Sequence, residues 1–219
     1  MIKGVIFDLD GTTLYTLPDL HHSVNLTMEH FGFPLRTAED VKMGVGNGFQ
    51  KLINRIVPEG TTEEKKREVG IYYRDIYREN CCIETVPYEG MTEVLKTLQE
   101  KGIQLAVNSN KSDYATKLLI STCFPDIVFT EVMGAREGLP HKPDPTGALQ
   151  ILDLMGINKE EALYVGDSET DMKTAKNAGI KAIGCLWGYR DLKTLQESGA
   201  DILLSRPEEL LDHLEEKQS

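Results

Sequence analysis

The sequence predicts an α/β fold, a doubly wound parallel sheet with a small helical cap domain inserted after the first strand. Three observations indicate it: an apolar run at residues 5–7 that ends in acidic residues, a helical pattern over residues 17–82, and alternating helix and strand patterns from residue 87 onward. Repeated alternation of this kind is typical of a parallel sheet covered by helices on both faces.

The first strand ends at a pair of acids. Residues 5–7 are β-branched or aromatic, which favours a strand, and Asp8 and Asp10 then project to the same side of a two-residue repeat. Two carboxylates this close repel each other unless a cation lies between them or one holds a proton. An ordinary Asp-Gly turn is the alternative. A calcium loop fits badly because Gly11 follows Asp10 directly.

The segment that follows is predicted to be helical throughout. Pro18 and Asp19 mark a helix start, and the apolar residues Leu20, Val24 and Met28 recur at helical spacing. Further helical patterns occupy the rest of residues 17–82. The segment is placed to lie over the carboxyl edge of the sheet, which is where open α/β sheets bind ligands.

The second part of the chain supplies the remaining core elements. We predict helices at 91–101, 114–121, 145–155 and 171–178, and strands at 103–107, 127–130, 162–165, 180–184 and 201–204. The predicted core domain comprises residues 1–15 and 84–219, and the predicted cap domain comprises residues 16–83.

Composition excludes several classes of partner. The chain has 219 residues and a formal net charge of −11, which argues against nucleic-acid binding because phosphate backbones need clustered Lys and Arg. The chain has no apolar stretch that could span a bilayer and no apolar signal segment before the first strand. We therefore expect a cytoplasmic protein that contacts neither nucleic acid nor membrane, as a monomer or homodimer.

The four cysteines do not suggest a metal or disulfide framework. Cys81, Cys82, Cys123 and Cys185 lack the paired spacing of a zinc site, and bridging the neighbours Cys81 and Cys82 would demand strained geometry. Reduced, partly buried thiols are expected.

Polar residues follow four of the predicted core elements and should meet in one cleft. Each cluster alone has a structural explanation as a turn or a helix N-cap. Together they supply the acids, hydroxyl and lysine that a magnesium-assisted reaction on a phosphate group requires. The residues are Asp8, Asp10, Thr12, Ser109, Asn110, Lys142, Asp167 and Asp171.

These motifs resemble those of the haloacid dehalogenase superfamily of phosphohydrolases along nearly the whole chain. The resemblance is carried by the run from Asp8 to Thr12, by Ser109, by Lys142 with its following proline, and by Asp167 with Asp171. Within the superfamily the sequence is most similar to the phosphoglycolate phosphatases, through residues 18–19, 86–90, 109–111 and 187–189. Thr13, Tyr15 and Glu89 depart from that pattern.

The resemblance implies roles for the core residues. Asp8 would attack phosphorus and form an aspartyl phosphate, and Asp10 would act as general acid and then general base. Lys142 and Ser109 would hold the phosphoryl oxygens. Mg²⁺ would be bound by the carboxylates of Asp8 and Asp167 and the backbone carbonyl of Asp10. Asp171 would not bind the ion directly but would orient a metal-bound water or Lys142.

Four further residues are candidates for substrate binding. Thr12 and Asn110 follow core strands, and Gly46 and Asn47 belong to the glycine-rich loop 44–48, which is placed to line the substrate side of the cap. A glycine-rich turn without a special function is an equally good interpretation of that loop.

The function implied is a Mg²⁺-dependent phosphatase acting on a small phosphomonoester such as 2-phosphoglycolate. An inorganic pyrophosphatase and a phosphosugar mutase are the rival enzyme classes. The alternative without enzyme activity is a binding or regulatory protein that keeps the fold of the enzymes but no longer catalyses a reaction. The full set of expected catalytic residues argues against it.

Overall fold

In the computed structural model of this protein, which describes residues 1–46 and 48–214, six parallel strands form the central sheet. The strand order is β5-β4-β1-β6-β7-β8. This confirms the predicted doubly wound α/β fold. The strands are β1 (Gly4–Phe7), β4 (Gln104–Ser112), β5 (Glu131–Ala135), β6 (Ala162–Gly166), β7 (Lys181–Cys185) and β8 (Ile202–Leu204).

A short antiparallel ribbon and nine α-helices complete the described part of the chain. The ribbon pairs β2 (Leu14–Tyr15) with β3 (Val86–Pro87). The helices are α1 (Leu17–His30), α2 (Ala38–Gly44), α3 (Phe49–Ile56), α4 (Glu63–Asn80), α5 (Met91–Glu100), α6 (Asp113–Cys123), α7 (Thr146–Met155), α8 (Glu169–Ala178) and α9 (Leu192–Glu197), with short 3₁₀ helices at Lys159–Glu161 and Pro207–His213.

Strand β1 lies in the middle of the sheet and is buried on both faces. Val5 and Phe7 pack into one apolar cluster with residues of α5 and α6, whereas Ile6 packs into a second cluster with residues of α7 and α8. The alternation follows from the two-residue repeat of a strand. Because parallel strands need cover on both faces, β1 consists of an uninterrupted apolar run after its glycine.

Helices α1 to α4 enclose an apolar cluster of their own. Val24 and Met28 of α1, Ile53 of α3 and Val69 of α4 are fully buried within it. The helical character predicted for residues 17–82 is therefore confirmed. Ala115 of α6 joins the same cluster, so the helical segment is packed against the core rather than held apart from it.

The strand predicted at residues 127–130 is wrong. Residues 127–129 belong to no strand: Val128 is 74% exposed, and its backbone N–H donates to the Gln99 side chain at 2.7 Å. Contact with β4 starts at the Thr130 N–H, which donates to the Leu105 carbonyl at 2.7 Å. Pairing with β4 begins only where Ala106 aligns with Glu131. As β5 is an edge strand, it does not need the continuous apolar run that identified the other strands.

The described helices include none long and apolar enough to span a membrane. The β2–β3 ribbon and helix α9 are short elements that the sequence patterns did not predict. Cytoplasmic location stays a prediction.

Candidate active site

Three buried carboxylates meet at the carboxyl edge of the sheet. Asp8 follows β1 and Asp167 follows β6, the neighbouring strand, with Phe7 aligned to Val165. Asp171 lies in the first turn of α8. Carboxylate oxygens of Asp8, Asp167 and Asp171 all lie within 4.8 Å of one another. The topology therefore brings together residues that are about 160 positions apart in sequence.

Lys142 provides the ammonium group of this cluster. Its Nζ lies 2.8 Å from Asp8 Oδ1 and 2.6 Å from Asp171 Oδ1, and its side chain is only 3% exposed. The Asn110 side chain holds the backbone around it: Asn110 Oδ1 accepts from the Lys142 N–H at 2.8 Å, and Asn110 Nδ2 donates to the Lys142 carbonyl at 3.1 Å. The Lys142–Pro143 peptide bond is cis.

Burial and mutual repulsion dominate the electrostatics. Burial and the charge of Asp171 raise the pKa of Asp8 to about 7, with Lys142 opposing the shift. Burial, Asp171 and Asp8 likewise hold the pKa of Asp167 well above its usual range. Burial acts to lower the pKa of Lys142, but Asp171 and Asp8 outweigh it and raise that pKa well above the usual value. Three carboxylates facing one ammonium leave an excess of negative charge.

The donor set fits a divalent cation. Buried carboxylate oxygens are the hard ligands that such cations prefer, and an added positive charge would balance the cluster. Both oxygens of Asp171 are occupied: Oδ1 pairs with Lys142, and Oδ2 accepts from the Ser168 N–H at 3.0 Å and its hydroxyl at 2.6 Å. Asp171 therefore positions Lys142 through one oxygen while the other is fixed by Ser168.

Asp167 is held by two neighbouring loops. Thr12 Oγ1 donates to its Oδ1 at 3.3 Å, and the Tyr189 N–H donates to its Oδ2 at 2.7 Å. Gly11 and Gly188 allow this close approach, because a Cβ atom on either would overlap Asp167. The sequence pattern identified residues 187–189 as a family feature but did not connect them with Asp167.

Asp10 is held by a different cation. Lys111 Nζ lies 2.7 Å from Asp10 Oδ1 and 2.9 Å from Asp10 Oδ2, and the Thr16 hydroxyl donates to Oδ1 at 2.6 Å. The Lys111 side chain is 6% exposed, and its ammonium lies 4.7 Å from the centre of the Tyr77 ring. Sequence reasoning missed Lys111 as a site residue. Its position directly after Ser109 and Asn110 was the available signal.

The other predicted substrate-binding residues lie in different surroundings. Gly46 lines the cavity, and its carbonyl accepts from Asn110 Nδ2 at 3.1 Å, which joins the loop after α2 to the core. Ser109 also lines the cavity, and its hydroxyl accepts from the Lys111 N–H at 3.2 Å. Thr12 is fully buried and directed at Asp167, outside the cavity wall in the described residues. Asn47 lies outside the described residues.

A cavity of about 680 Å³ separates the sheet edge from the helical segment. Asp8 and Asp10 form part of its wall on the core side, and α3 and α4 form the opposite wall. A cavity of this size is typical of small-molecule sites. Its aromatic and cationic lining includes Phe49, Tyr73, Arg74, Tyr77, Arg78, Lys111, Tyr114 and Arg136.

The match to a known family agrees with this geometry. A sequence model described as haloacid dehalogenase-like hydrolase matches residues 5–185, a span that contains each of the clustered acids and both buried lysines. The chain therefore belongs to the haloacid dehalogenase-like hydrolase family, as the resemblance of the motifs predicted.

Individual relatives carry a more specific name. The chain is 31% identical to a phosphoglycolate phosphatase of Aquifex aeolicus over 210 residues, covering 96% of this chain and 95% of the relative. It is 32% identical to a phosphoglycolate phosphatase of Haemophilus influenzae over 206 residues, covering 91% and 92%. A crystal structure from Lactobacillus delbrueckii subsp. bulgaricus, assigned as a phosphoglycolate phosphatase, matches with a TM-score of 0.91 at 30% identity, covering 97% and 98%.

Proposed function

We propose that this protein is a Mg²⁺-dependent phosphatase that hydrolyses a small phosphomonoester through an aspartyl-phosphate intermediate on Asp8. The observation that carries the proposal is the pairing of Asp8 with Lys142 at 2.8 Å inside a buried acidic cluster that opens onto the cavity. The relatives named phosphoglycolate phosphatase support 2-phosphoglycolate as the first substrate to test.

Asp8 is the proposed nucleophile. One carboxylate oxygen attacks phosphorus, and the bond between phosphorus and the ester oxygen breaks. Lys142 contacts this carboxylate and supplies positive charge near the phosphoryl oxygens. Mg²⁺, held by the carboxylates of Asp8 and Asp167 and the backbone carbonyl of Asp10, would supply further charge that offsets the repulsion between two anions.

Asp10 is the proposed general acid and base. In its protonated form it gives a proton to the departing ester oxygen, and the resulting carboxylate later takes a proton from the water that attacks the phosphorus of the aspartyl phosphate. Inorganic phosphate then leaves and Asp8 is regenerated. Since Lys111 contacts both oxygens of Asp10, that carboxylate has to exchange partners before it can serve the ester oxygen.

Residues 16–83 are the proposed cap domain, and residues 1–15 and 84–219 the proposed core domain. The separate apolar cluster of α1 to α4 and the position of the cavity beneath them support this division. Closing such a cap excludes water from the site, which strengthens its electrostatic interactions.

A phosphate-release screen tests the proposal. The purified protein is assayed against a panel of phosphomonoesters, including 2-phosphoglycolate, with Mg²⁺ and with EDTA. We expect Mg²⁺-dependent release of phosphate. Inorganic pyrophosphate in the same panel tests for a pyrophosphatase, and chromatography of sugar phosphates tests for a mutase. Absence of phosphate release from the whole panel at saturating Mg²⁺ would overturn the assignment.

A further inference from the structure

Lys111 is a buried cation whose partner is the proposed acid Asp10 rather than the nucleophile. Its ammonium contacts both Asp10 oxygens, at 2.7 and 2.9 Å, and it also forms part of the cavity wall. A group that binds beside Asp10 in the cavity therefore comes within reach of the same ammonium.

We propose that Lys111 binds an anionic substituent on the leaving group of the substrate and thereby releases the Asp10 carboxylate. This inference rests on the proposed phosphatase function and adds a residue that determines specificity at the same site. Asp10 serves the ester oxygen, and Lys111 contacts Asp10. The anion must therefore lie close to the ester oxygen, as a carboxylate on the carbon attached to that oxygen does. 2-Phosphoglycolate, the substrate named above for testing, carries its carboxylate at this position.

The exchange of partners keeps the buried charges matched. Removing Asp10 from Lys111 alone would leave a buried ammonium without a counter-ion, which is strongly unfavourable. A substrate carboxylate replaces it with the same charge, and the released Asp10 takes up from solvent the proton that it then gives to the ester oxygen. The Tyr77 ring, 4.7 Å from the ammonium, contacts Lys111 independently of Asp10 and can hold it during the exchange.

Asp10 also has a second contact that does not depend on Lys111. The Thr16 hydroxyl donates to Asp10 Oδ1 at 2.6 Å and lies 3.1 Å from the Tyr189 hydroxyl.

A neutral leaving group cannot form an ion pair with Lys111, so the Asp10 carboxylate stays bound to the Lys111 ammonium. Such a substrate should bind to the phosphoryl site but turn over slowly.

The test compares two substrates of nearly equal size on one enzyme preparation. 2-Phosphoglycolate carries the carboxylate, and 2-hydroxyethyl phosphate carries a neutral hydroxymethyl group in its place. In the wild type we expect kcat/KM to favour 2-phosphoglycolate by about ten- to a hundredfold, the usual effect of a buried charge-assisted contact. In Lys111→Met this ratio should fall close to one, with a raised KM for 2-phosphoglycolate and, because Asp10 is no longer held, a raised kcat for 2-hydroxyethyl phosphate. Lys111→Arg should restore part of the ratio.

The ratio is insensitive to partial misfolding, because a smaller active fraction lowers both rates equally. A measurement without any variant covers the case in which Lys111→Met does not fold. Glycolate should inhibit wild-type hydrolysis of 2-hydroxyethyl phosphate competitively, whereas ethylene glycol should not. Equal effects of the two additives would overturn the inference.

Arg78 is the competing anion-binding residue. It lines the cavity from α4, and its guanidinium lies 4.5 Å from the centre of the Tyr114 ring. If Arg78→Gln abolishes the preference and Lys111→Met keeps it, the anion is bound at the cavity mouth and the Lys111 assignment is wrong. If the wild type hydrolyses both substrates equally, the inference fails while the proposed phosphatase function stands. If the wild type hydrolyses neither substrate nor any other phosphomonoester, both fail.

Discussion

The Asp19 carboxylate accepts hydrogen bonds from the Thr85 backbone N–H at 2.9 Å and from the Thr85 hydroxyl at 2.7 Å. The N–H groups of Ile83 and Glu84 donate to the same carboxylate at 3.0 and 2.9 Å. Asp19 lies where the chain enters the helical segment, and Thr85 lies where it returns to the core. One buried side chain therefore ties together both connections on which the proposed cap would move.

We predict that Asp19→Ala destabilises the protein by about 3 kcal/mol, because it leaves the two donors of buried Thr85, and the N–H groups of Ile83 and Glu84, without their acceptor. Urea unfolding measures the loss. Asp40→Ala is the matched control: Asp40 also accepts backbone and hydroxyl hydrogen bonds, from Thr37, but it is exposed at the start of α2. Its loss should cost about 1 kcal/mol. Equal costs for the two variants would contradict the clamp role of Asp19.

Gly11 supports the position of Asp167. Gly11 and Gly60 have nearly the same φ, 83° and 82°, but only at Gly11 would a Cβ overlap a neighbour, the Asp167 carboxylate. Both alanine variants should lose about 1 to 2 kcal/mol from the backbone conformation. Gly11→Ala alone should weaken Mg²⁺ binding, measured by calorimetry, at least about tenfold. The same Mg²⁺ affinity in both variants would contradict this.

Lys142 balances the acidic cluster. We predict that Lys142→Met lowers kcat at least about a hundredfold, because the charge beside Asp8 is lost. It should also lower the melting temperature in EDTA by several degrees, with partial recovery in Mg²⁺. Lys176→Met is the control: its ion pair with Asp201, at 2.5 Å, is 44% and 34% exposed and should contribute little. An unchanged kcat in Lys142→Met would show that Lys142 takes no part in the mechanism.

The two aspartates after β1 should fail in different ways. Asp8→Asn removes the nucleophile, so no phosphoenzyme forms and turnover is abolished. Asp10→Asn keeps the nucleophile but removes the base for hydrolysis, so a slowly decaying phosphoenzyme should accumulate, with kcat lowered roughly 10²- to 10⁴-fold. Intact-mass measurement after rapid quenching detects the adduct. Full activity of Asp8→Asn with any phosphomonoester would end the assignment.

The raised pKa of Asp8 predicts how stability depends on pH in the absence of metal. Burial and Asp171 raise this pKa to about 7 in the folded state, so the native protein binds a proton that the unfolded chain releases near pH ~4. Stability from this group is present below about pH 4 and is lost as the pH rises through about 7. Urea unfolding in EDTA across this range should show a shallower decline for Asp8→Asn than for the wild type. Parallel curves would contradict the shift.

Much of the site could be predicted because it depends on topology. In a parallel sheet all carboxyl ends lie at one edge, so residues that follow β1 and β6 must be neighbours once the strands are recognised. The apolar run at 5–7 and the polar residues after it were therefore sufficient to place Asp8 near Asp167. An edge strand carries a weaker pattern, so the sequence predicts a strand at 127–130, whereas the structure has the strand at Glu131–Ala135.

Side-chain partners were harder to predict. Nothing in the local pattern says that Lys111 contacts Asp10, because the two residues are brought together by the register between β1 and β4. Thr12 was expected at the substrate, but its hydroxyl points to Asp167.

The sequence by itself determined the layers of this protein and the chemical character of its site, because periodicity and the residues that end each strand are local properties of the chain. The tertiary structure alone decided that Lys142 serves Asp8 while Lys111 serves Asp10. Lys111 lies near the end of β4 and Lys142 in a later loop, and neither shows its partner in the sequence. Their partners depend on distances across the sheet edge, which only the packed fold sets.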